Sequence, residues 1–259
     1  MCHDDCPFPI SGGAHLHEQD LTLSSGDESL PVFVVEPERL PAPAVMIIHD
    51  IHGPNDFYHD VARRLADAGF IAALPDFFFR QGPVPAGDTQ AARERGTRVD
   101  QAKTFGDIEA TLLWLRDHEH GNGRIGTIGM CWGGSMVMLA SSRNPTLQAA
   151  IPFYGFPVRE RTPNFPILPI DEDEVAGVQA PMLGFWGDQD AGVGMDNLNA
   201  YDQKLDTYDK PHEFVVYPGL GHAFLTFDPT SDAFAQSQDA WQKTLTFLGA
   251  NLGIESSAT

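Results

Sequence analysis

Short apolar segments alternate with amphipathic segments along most of the chain, a pattern that predicts a parallel sheet covered by helices. The run Ala44–His49 is apolar at every position except its last, as expected of a strand buried on both faces. After a loop, apolar residues recur at intervals of four and three, which predicts a helix that ends at Gly69. The residues of that apolar stripe are Phe57, Val61, Leu65 and Ala68.

The same alternation continues to the end of the chain. Two β-rich runs, Leu21–Ser24 and Val32–Val35, flank a turn and predict an antiparallel hairpin at the edge of the sheet. A long polar helix is expected after residue 87, with Val99, Ala102, Ile108, Leu112 and Leu115 facing inward. The other predicted strands are Phe70–Leu74, Ile125–Ile128, Ala149–Tyr154, Met182–Trp186 and Phe214–Tyr217, and the closing helix is Ala233–Leu248. We therefore expect an α/β fold, with helices on both faces of a mostly parallel sheet.

The composition allows one sizeable core and restricts the partners. The chain has 259 residues, of which 42% are hydrophobic, enough for a single undivided domain over residues 1–259. Its formal net charge of −20 argues against nucleic acid and against an anionic membrane surface as partners. We expect a small-molecule substrate and a monomer or small homo-oligomer. A proline- and glycine-rich stretch over residues 155–175, with acidic residues at 171–174, predicts a cap-like loop over the site.

The N-terminal residues lack the basic and apolar regions of a signal peptide, and no segment approaches the roughly 20 apolar residues of a membrane span. With only three cysteines in the chain, this predicts a cytoplasmic protein without a disulfide framework. The spacing of Cys2, His3 and Cys6 matches no closed zinc site. We therefore expect a weakly ordered extension over residues 1–19 and no metal or cofactor.

The candidate chemistry centres on residues 124–136, where a short apolar run ends at Gly129 and a helical segment begins after Gly133. This predicts a strand, a tight turn and a helix. Cys131 lies at the turn in the pattern Gly129-x-Cys131-x-Gly133, which is the nucleophile-elbow pattern with cysteine in place of serine. The first turn of the helix would favour the thiolate. The alternative is a small buried cysteine without chemistry.

Downstream residues favour the catalytic interpretation. Gly187-Asp188-Gln189-Asp190 and then Gly221-His222 follow the cysteine, in the nucleophile, acid, histidine order of an α/β-hydrolase triad. His222 follows a predicted strand and would accept the thiol proton and later activate water. Asp188 and Asp190 both remain candidates for the acid, and Asp190 is preferred because it lies further along the loop and can turn back towards the histidine.

The loop after the predicted strand Ala44–His49 supplies the rest of the site. The backbone N–H groups of Ile51 and Trp132 are the expected oxyanion-hole donors. Asp50 is either a second carboxylate near the thiol or the cap of a helix that starts near Pro54. Four strand ends then converge on one edge of the sheet, where open parallel sheets bind their ligands.

These segments resemble the dienelactone hydrolase family of α/β-hydrolases from about Leu30 to Leu248. The resemblance lies in Asp50-Ile51-His52-Gly53-Pro54-Asn55, in residues 75–80 and 129–134, in Gly187-Asp188-Gln189-Asp190 and in Gly221-His222-Ala223-Phe224. It implies an α/β-hydrolase fold and a cofactor-free hydrolase that opens a lactone or cleaves a small ester. By matching position it implies a Cys131, Asp190, His222 triad, and oxyanion donors at Ile51 and Trp132.

The chain departs from the family pattern at two places. The family has a glutamate that holds the cysteine at rest, and here that position is Asp50, one methylene shorter. Family members that act on dienelactone bind its carboxylate with arginines. Arg80 matches one such position and is the expected substrate-binding residue, whereas Thr226 stands where a second arginine is expected.

Other functions remain open at this point. The same triad would also cleave another ester or a thioester, because pocket residues set the specificity. A non-enzymatic ligand or redox sensor would use Cys131 as an oxidisable thiol, although a sensor needs no ordered acid and histidine. A metal-dependent hydrolase built on His49, Asp50 and His52 would require matching geometry and an open ligand position.

Overall fold

The computed structural model describes residues 3, 6, 8–10, 15–157 and 172–254. Most of the predicted cap-like loop, residues 158–171, lies outside that range, as does much of the N-terminal extension. Where they are described, both predictions need correction: residues 172–175 begin the helix Glu172–Gly177, and residues 17–19 begin the strand His17–Ser25. The eight strands are β1 His17–Ser25, β2 Glu28–Glu36, β3 Ala42–Ile48, β4 Ile71–Pro75, β5 Gly121–Met130, β6 Leu147–Phe153, β7 Met182–Gly187 and β8 His212–Tyr217. The helices are α1 Asp56–Asp67, α2 Thr89–Gly96, α3 Gln101–Arg116, α4 Trp132–Arg143, α5 Glu172–Gly177, α6 Met195–Thr207 and α7 Phe234–Leu252.

The strands form one sheet in the order β1-β2-β4-β3-β5-β6-β7-β8. β1 and β2 form the predicted antiparallel hairpin at one edge, and β2 runs antiparallel to β4. All later neighbours pair in parallel. The predicted mostly parallel α/β sheet is therefore confirmed.

The centre of the sheet is buried on both faces. All seven residues of β3 are buried, as its continuous apolar sequence predicts. α4 packs on β5 and β6 and buries ten of its twelve residues, which fixes the start of this helix firmly against the sheet. The candidate nucleophile at that start is thus held by the core itself.

One helix prediction needs correction, and one helix was missed. The expected single polar helix is two helices, because the side chain of Asp100 accepts hydrogen bonds from the N–H groups of Ala102 and Lys103 and so starts α3 anew. Ala102 lies exposed in that first turn rather than inward, whereas Ile108 and Leu112 are buried as predicted. α6 was not predicted, although its buried Leu198, Tyr201 and Leu205 show a helical spacing. None of the described helices combines the length and the apolar character needed to cross a membrane.

Candidate active site

Cys131 lies in the tight turn between β5 and α4, as predicted. Its backbone has φ 58° and ψ −117°, a conformation that costs a non-glycine residue of order 1–3 kcal/mol and persists only where the surroundings enforce it. Here the Cys131 N–H donates to the Phe153 carbonyl at 3.0 Å, and α4 starts at the next residue. The residue is buried and occupies the N-cap position of α4, and the positive end of a helix dipole favours a thiolate nearby.

The glycines around the cysteine are needed because the backbones approach too closely for any side chain. A Cβ on Gly129 would lie 2.4 Å from the Gly133 carbonyl oxygen. A Cβ on Gly133 would lie 2.0 Å from the carbonyl oxygen of Ile48, at the end of β3. The elbow is thereby pressed against the loop that follows β3.

His222 and Asp190 form an ion pair or neutral hydrogen-bonded pair at the same edge of the sheet. The distance from His222 Nδ1 to Asp190 Oδ2 is 2.6 Å. The other carboxylate oxygen, Oδ1, accepts hydrogen bonds from the N–H groups of Gly192 and Val193 at 3.0 and 3.1 Å. The His222 Nε2 atom is buried and has no hydrogen-bond partner in the part of the chain that the structure describes.

Asp188 has a different position. It is exposed, and its Oδ1 accepts the Gly219 N–H at 2.7 Å, which ties the loop after β7 to the loop after β8. Of the two sequence candidates for the acid, the structure therefore brings Asp190 to the histidine.

Aromatic rings surround the histidine. The centroids of Tyr154 and Phe156 lie 5.1 and 5.2 Å from that of His222. These rings form an apolar wall beside the imidazole, which stays partly exposed to solvent.

The two expected oxyanion donors lie on segments that touch each other. Trp132 is the first residue of α4, so its N–H has no partner inside the helix. Ile51 lies in the loop after β3, and its carbonyl accepts a hydrogen bond from Arg95 Nη2 at 2.7 Å. The close contact between Gly133 and Ile48 joins this loop to the elbow. The local packing thus fixes both peptides.

Asp50 is fully buried beside this loop. Its Oδ1 accepts the His52 N–H at 2.8 Å, and its Oδ2 accepts the His3 N–H at 2.9 Å. The alternative that Asp50 caps the first helix is wrong, because α1 begins at Asp56 and the residue at its N-cap position is Asn55.

His3 was not identified as a site residue from the sequence. Its ring stacks on the Phe57 ring with the two centroids 3.8 Å apart, and its Nε2 lies 2.6 Å from the Tyr154 hydroxyl. The His3 carbonyl accepts a hydrogen bond from Asn55 Nδ2 at 2.6 Å. Burial, and then the nearby His222, lower the pKa of His3 to about 3. These partners lie more than 45 positions away, so no local sequence signal indicated the role.

His49 uses both of its ring nitrogens within the fold. Nδ1 donates to the Asp50 carbonyl at 2.8 Å, and Nε2 accepts the Phe77 N–H at 3.1 Å. Burial lowers the pKa of His49 to about 4, so the ring is neutral at neutral pH. No lone pair is left for a metal ion, which removes one ligand from the metal alternative built on His49, Asp50 and His52.

Arg80 is paired with carboxylates of the scaffold. Its guanidinium bonds both oxygens of the fully buried Asp107 at 2.6 and 2.9 Å and one oxygen of Glu28 at 2.6 Å. These hydrogen bonds, the one to Asp107 first, raise the pKa of Arg80. The structure therefore does not bring Arg80 to the cysteine and histidine with a free guanidinium.

Arg95 is the arginine that lies next to the candidate oxyanion loop. It is 4% exposed, donates to the carbonyls of Ile51 and Gly82, and stacks over the Phe78 ring at 4.6 Å. It lines a cavity of about 400 Å³ together with Asp76, Phe79 and the loop residues His52, Pro54, Asn55 and 82–86. Its Nε has no hydrogen-bond partner among the described residues, and burial lowers its pKa. No pattern in the sequence indicated that Arg95 lies beside this loop.

Comparison with known proteins agrees with the geometry. The sequence profile of the Dienelactone hydrolase family matches residues 30–252. A Yersinia pestis protein with the provisional name carboxymethylenebutenolidase is 30% identical over 234 residues, which cover 89% of this chain and 87% of that protein. The carboxymethylenebutenolidase of Rhodococcus opacus is 28% identical over 258 residues, 99% of either chain.

A solved structure shares the architecture. The crystal structure of a Klebsiella pneumoniae protein, provisionally described as a dienelactone hydrolase, superimposes with a TM-score of 0.82. It is 29% identical in sequence, and the match covers 90% of this chain and 98% of that one. With a strained cysteine elbow, an aspartate–histidine pair and a family match over most of its length, the chain belongs to the dienelactone hydrolase family of α/β-hydrolases.

Proposed function

We propose that this protein is a cofactor-free hydrolase that opens a lactone or cleaves a small carboxylic ester through a thioester formed on Cys131. The observation that carries the proposal is the strained elbow of Cys131 at the start of α4, at the same sheet edge as the Asp190–His222 pair. Backbone strain of this kind lowers the stability of the fold. It clusters at active sites, where it is part of the mechanism. The family membership and the carboxymethylenebutenolidase relatives support the same reaction class.

In the first half of the reaction the Cys131 thiolate attacks the carbonyl carbon of the substrate. The thiol proton passes to Nε2 of His222, and Asp190 holds the other ring nitrogen and stabilises the imidazolium. The backbone N–H groups of Ile51 and Trp132 stabilise the oxyanion of the tetrahedral intermediate. Collapse of that intermediate forms the thioester and releases the ring or leaving-group oxygen, which takes the proton from His222.

In the second half His222 removes a proton from water, and the resulting hydroxide attacks the thioester. The second tetrahedral intermediate expels the Cys131 thiolate and leaves the product carboxylate. Asp50 is the proposed resting-state carboxylate. Hydrogen bonds from the N–H groups of His3 and His52 hold its carboxylate fixed beside the loop.

The test of the mechanism is the Cys131→Ala variant. We expect kcat on an aryl ester to fall by about 10⁴-fold or more, because the nucleophile of a triad acts as a unit with its partners. Intact-protein mass spectrometry during turnover of a slow ester should show a wild-type adduct of the acyl mass. The adduct should be absent from Cys131→Ala. It should be present in the matched control Cys6→Ala, which removes a different free thiol and keeps Cys131. Unchanged turnover of Cys131→Ala would overturn the proposal.

For the substrate we propose a small anionic lactone or ester whose carboxylate is recognised by Arg95 rather than by Arg80. Arg95 lines the cavity next to the oxyanion loop, and its Nε has no hydrogen-bond partner among the residues that the structure describes, whereas three carboxylate oxygens surround Arg80. Thr226, at the other expected arginine position, is engaged with Ser237 and Asp228 of the scaffold. A cation inside the cavity would attract an anion despite the acidic exterior.

The two arginines provide a matched comparison of an anionic lactone with a neutral aryl ester. Arg95→Met should lower the preference for the anion, the ratio of the two kcat/KM values, by about 10- to 100-fold, the range of a lost charged hydrogen bond. Arg80→Met should leave that ratio unchanged. It should instead destabilise the fold by about 3–5 kcal/mol, because Asp107 would keep a buried charge without its partner. An unchanged ratio in Arg95→Met would rule out this recognition and leave the cysteine mechanism intact.

A further inference from the structure

A second cluster of chemically active side chains lies away from the cysteine, at the end of β2. Both oxygens of the Glu36 carboxylate face histidines: Oε1 lies 2.7 Å from His118 Nε2, and Oε2 lies 2.9 Å from His120 Nδ1. One ligand atom from each of the three residues lies within 4.8 Å of the other two. Two imidazole nitrogens and a carboxylate thus lie close enough together to contact one ion.

This donor set is typical of late first-row divalent cations. Zn²⁺ binds imidazole nitrogen and carboxylate oxygen at about 2.0–2.2 Å, and imidazole also suits Cu²⁺, Ni²⁺ and Co²⁺. Mg²⁺ and Ca²⁺ prefer sites made of oxygens alone. The cluster therefore selects a transition-metal ion rather than an alkaline-earth ion.

The scaffold holds these side chains in place before any ligand arrives. The Glu36 side chain is 5% exposed. The His118 carbonyl accepts the Gly121 N–H at 2.9 Å, and the His120 carbonyl accepts the Ala42 N–H at 3.0 Å. The His120 side chain is 43% exposed, which gives an ion a route from solvent.

A fourth donor lies opposite the carboxylate. His17 of β1 pairs with Glu36 in the antiparallel ladder between β1 and β2. Residues paired in this way project to the same face of the sheet, with Cβ atoms about 4.5–5.5 Å apart. His17 is exposed, so its side chain can turn towards an ion held by the other three.

We propose that Glu36, His118 and His120 bind one Zn²⁺-like divalent cation, with His17 or water completing the coordination. The ion would fasten the end of β2 to the turn that precedes β5. β5 has ten residues from Gly121 to Met130 and rises about 3.3 Å per residue, so the ion and Cys131 lie roughly 30 Å apart. The site is structural and separate from the hydrolase chemistry.

The first experiment adds ZnCl₂, CoCl₂ or CuSO₄ to the metal-free full-length protein. Calorimetry should give one Zn²⁺ per chain, and Co²⁺ should give visible ligand-field bands without the intense thiolate charge-transfer band that cysteine ligation produces. Cu²⁺ should quench Trp114, because its ring lies 4.5 Å from that of His118. That quenching should disappear in Trp114→Phe while the emission of Trp132, Trp186 and Trp241 remains.

Variants distinguish this site from other ligands in the chain. Glu36→Gln keeps the shape of the side chain but removes its charge and replaces one of the two acceptor oxygens by an NH2 donor. The double variant His118→Asn/His120→Asn removes both imidazoles. Each should weaken Zn²⁺ binding by at least 100-fold. His212→Asn is the matched control, because His212 pairs with the carboxylate of Asp202 without a second histidine, and it should bind like the wild type.

A stability measurement gives an independent readout. Zn²⁺ at about 100 times its Kd should raise the Tm of the wild type by roughly 5 °C and leave that of Glu36→Gln unchanged. Ester hydrolysis should be the same with and without the ion. Absence of Zn²⁺ binding to the wild type, or full binding by the double variant, would overturn the proposal. A cobalt thiolate band would do the same, since it would locate the ion on a cysteine.

Discussion

At the scale of single residues, two aspartates two positions apart have different environments. Asp190 is buried, receives two backbone N–H groups on one oxygen and holds His222 with the other. Asp188 is exposed and bonds the Gly219 N–H. The difference arises because the chain turns sharply after β7, where the Asp190 N–H bonds the Gly187 carbonyl at 3.2 Å. The turn directs one side chain inward and the other to the surface.

The pair provides a matched test of the proposed acid. Asp190→Asn should lower kcat by about 10²- to 10⁴-fold, because an amide stabilises neither the required tautomer nor the imidazolium. Asp188→Asn should change kcat by less than about threefold, since its amide oxygen can still accept the Gly219 N–H. Steady-state kinetics with one aryl ester compares both variants. Equal losses in the two would contradict the assignment of Asp190.

At the scale of secondary-structure elements, the site depends on how closely α4 approaches the end of β3. Gly133 allows the first turn of the helix to touch the Ile48 carbonyl, and the same contact brings the Trp132 peptide beside the Ile51 loop. A helix that started with a larger residue here would be displaced outward. The two oxyanion donors would then separate.

Gly133→Ala should therefore affect stability and chemistry together. A Cβ 2.0 Å from the Ile48 oxygen cannot be accommodated without moving backbone, and we expect a loss of about 3 kcal/mol in the free energy of unfolding. We also expect a lower kcat. Gly96→Ala is the control, because no atom lies within 4 Å of its Cβ position; alanine in a helix should be neutral or stabilise by up to about 1 kcal/mol. Urea unfolding followed by circular dichroism measures the stability of both variants. Equal stabilities of Gly133→Ala and Gly96→Ala would refute this packing argument.

At the scale of the whole molecule, the fold keeps some histidines neutral inside a strongly acidic protein. The formal charge is −20, yet burial lowers the pKa of His49 to about 4 and that of His3 to about 3. For His49 burial outweighs the attraction of the Asp76 carboxylate, because desolvation of an imidazolium is costly; for His3 the nearby His222 lowers the pKa further. Proton binding by these rings is therefore coupled to unfolding.

This coupling predicts acid sensitivity. The folded pKa of His49 lies below the unfolded value of 6.5, so its contribution to stability is complete above about pH 6.5 and is lost as the pH falls towards 4. From the linkage relation, His49 alone should lower the free energy of unfolding by about 2 kcal/mol between pH 8 and pH 5. His49→Gln keeps a donor and an acceptor but does not titrate. Urea unfolding at both pH values should show a smaller decrease in the free energy of unfolding for this variant than for the wild type. An identical decrease would contradict the prediction.

Local patterns in the sequence were enough to predict the strands and the order of the catalytic residues along the chain. Continuous apolar runs such as Ala44–His49 have no stable place except a buried strand, and the glycine spacing around Cys131 fits only a tight turn between a strand and a helix. In a parallel sheet the carboxyl ends of these strands lie at the same edge, where the site residues meet. For this reason the α/β fold, the cysteine elbow and the aspartate–histidine pair were all accessible without coordinates.

The contacts of the other charged groups depend on tertiary packing. It placed Arg80 against Asp107 and brought Arg95 to the oxyanion loop from 44 positions away. It also seated His3 on Phe57 and gathered Glu36 with two histidines more than 80 positions later. Local patterns encode burial and backbone shape, because these depend on neighbouring residues. The pairing of distant polar side chains depends on how finished elements pack, and only the folded chain specifies it.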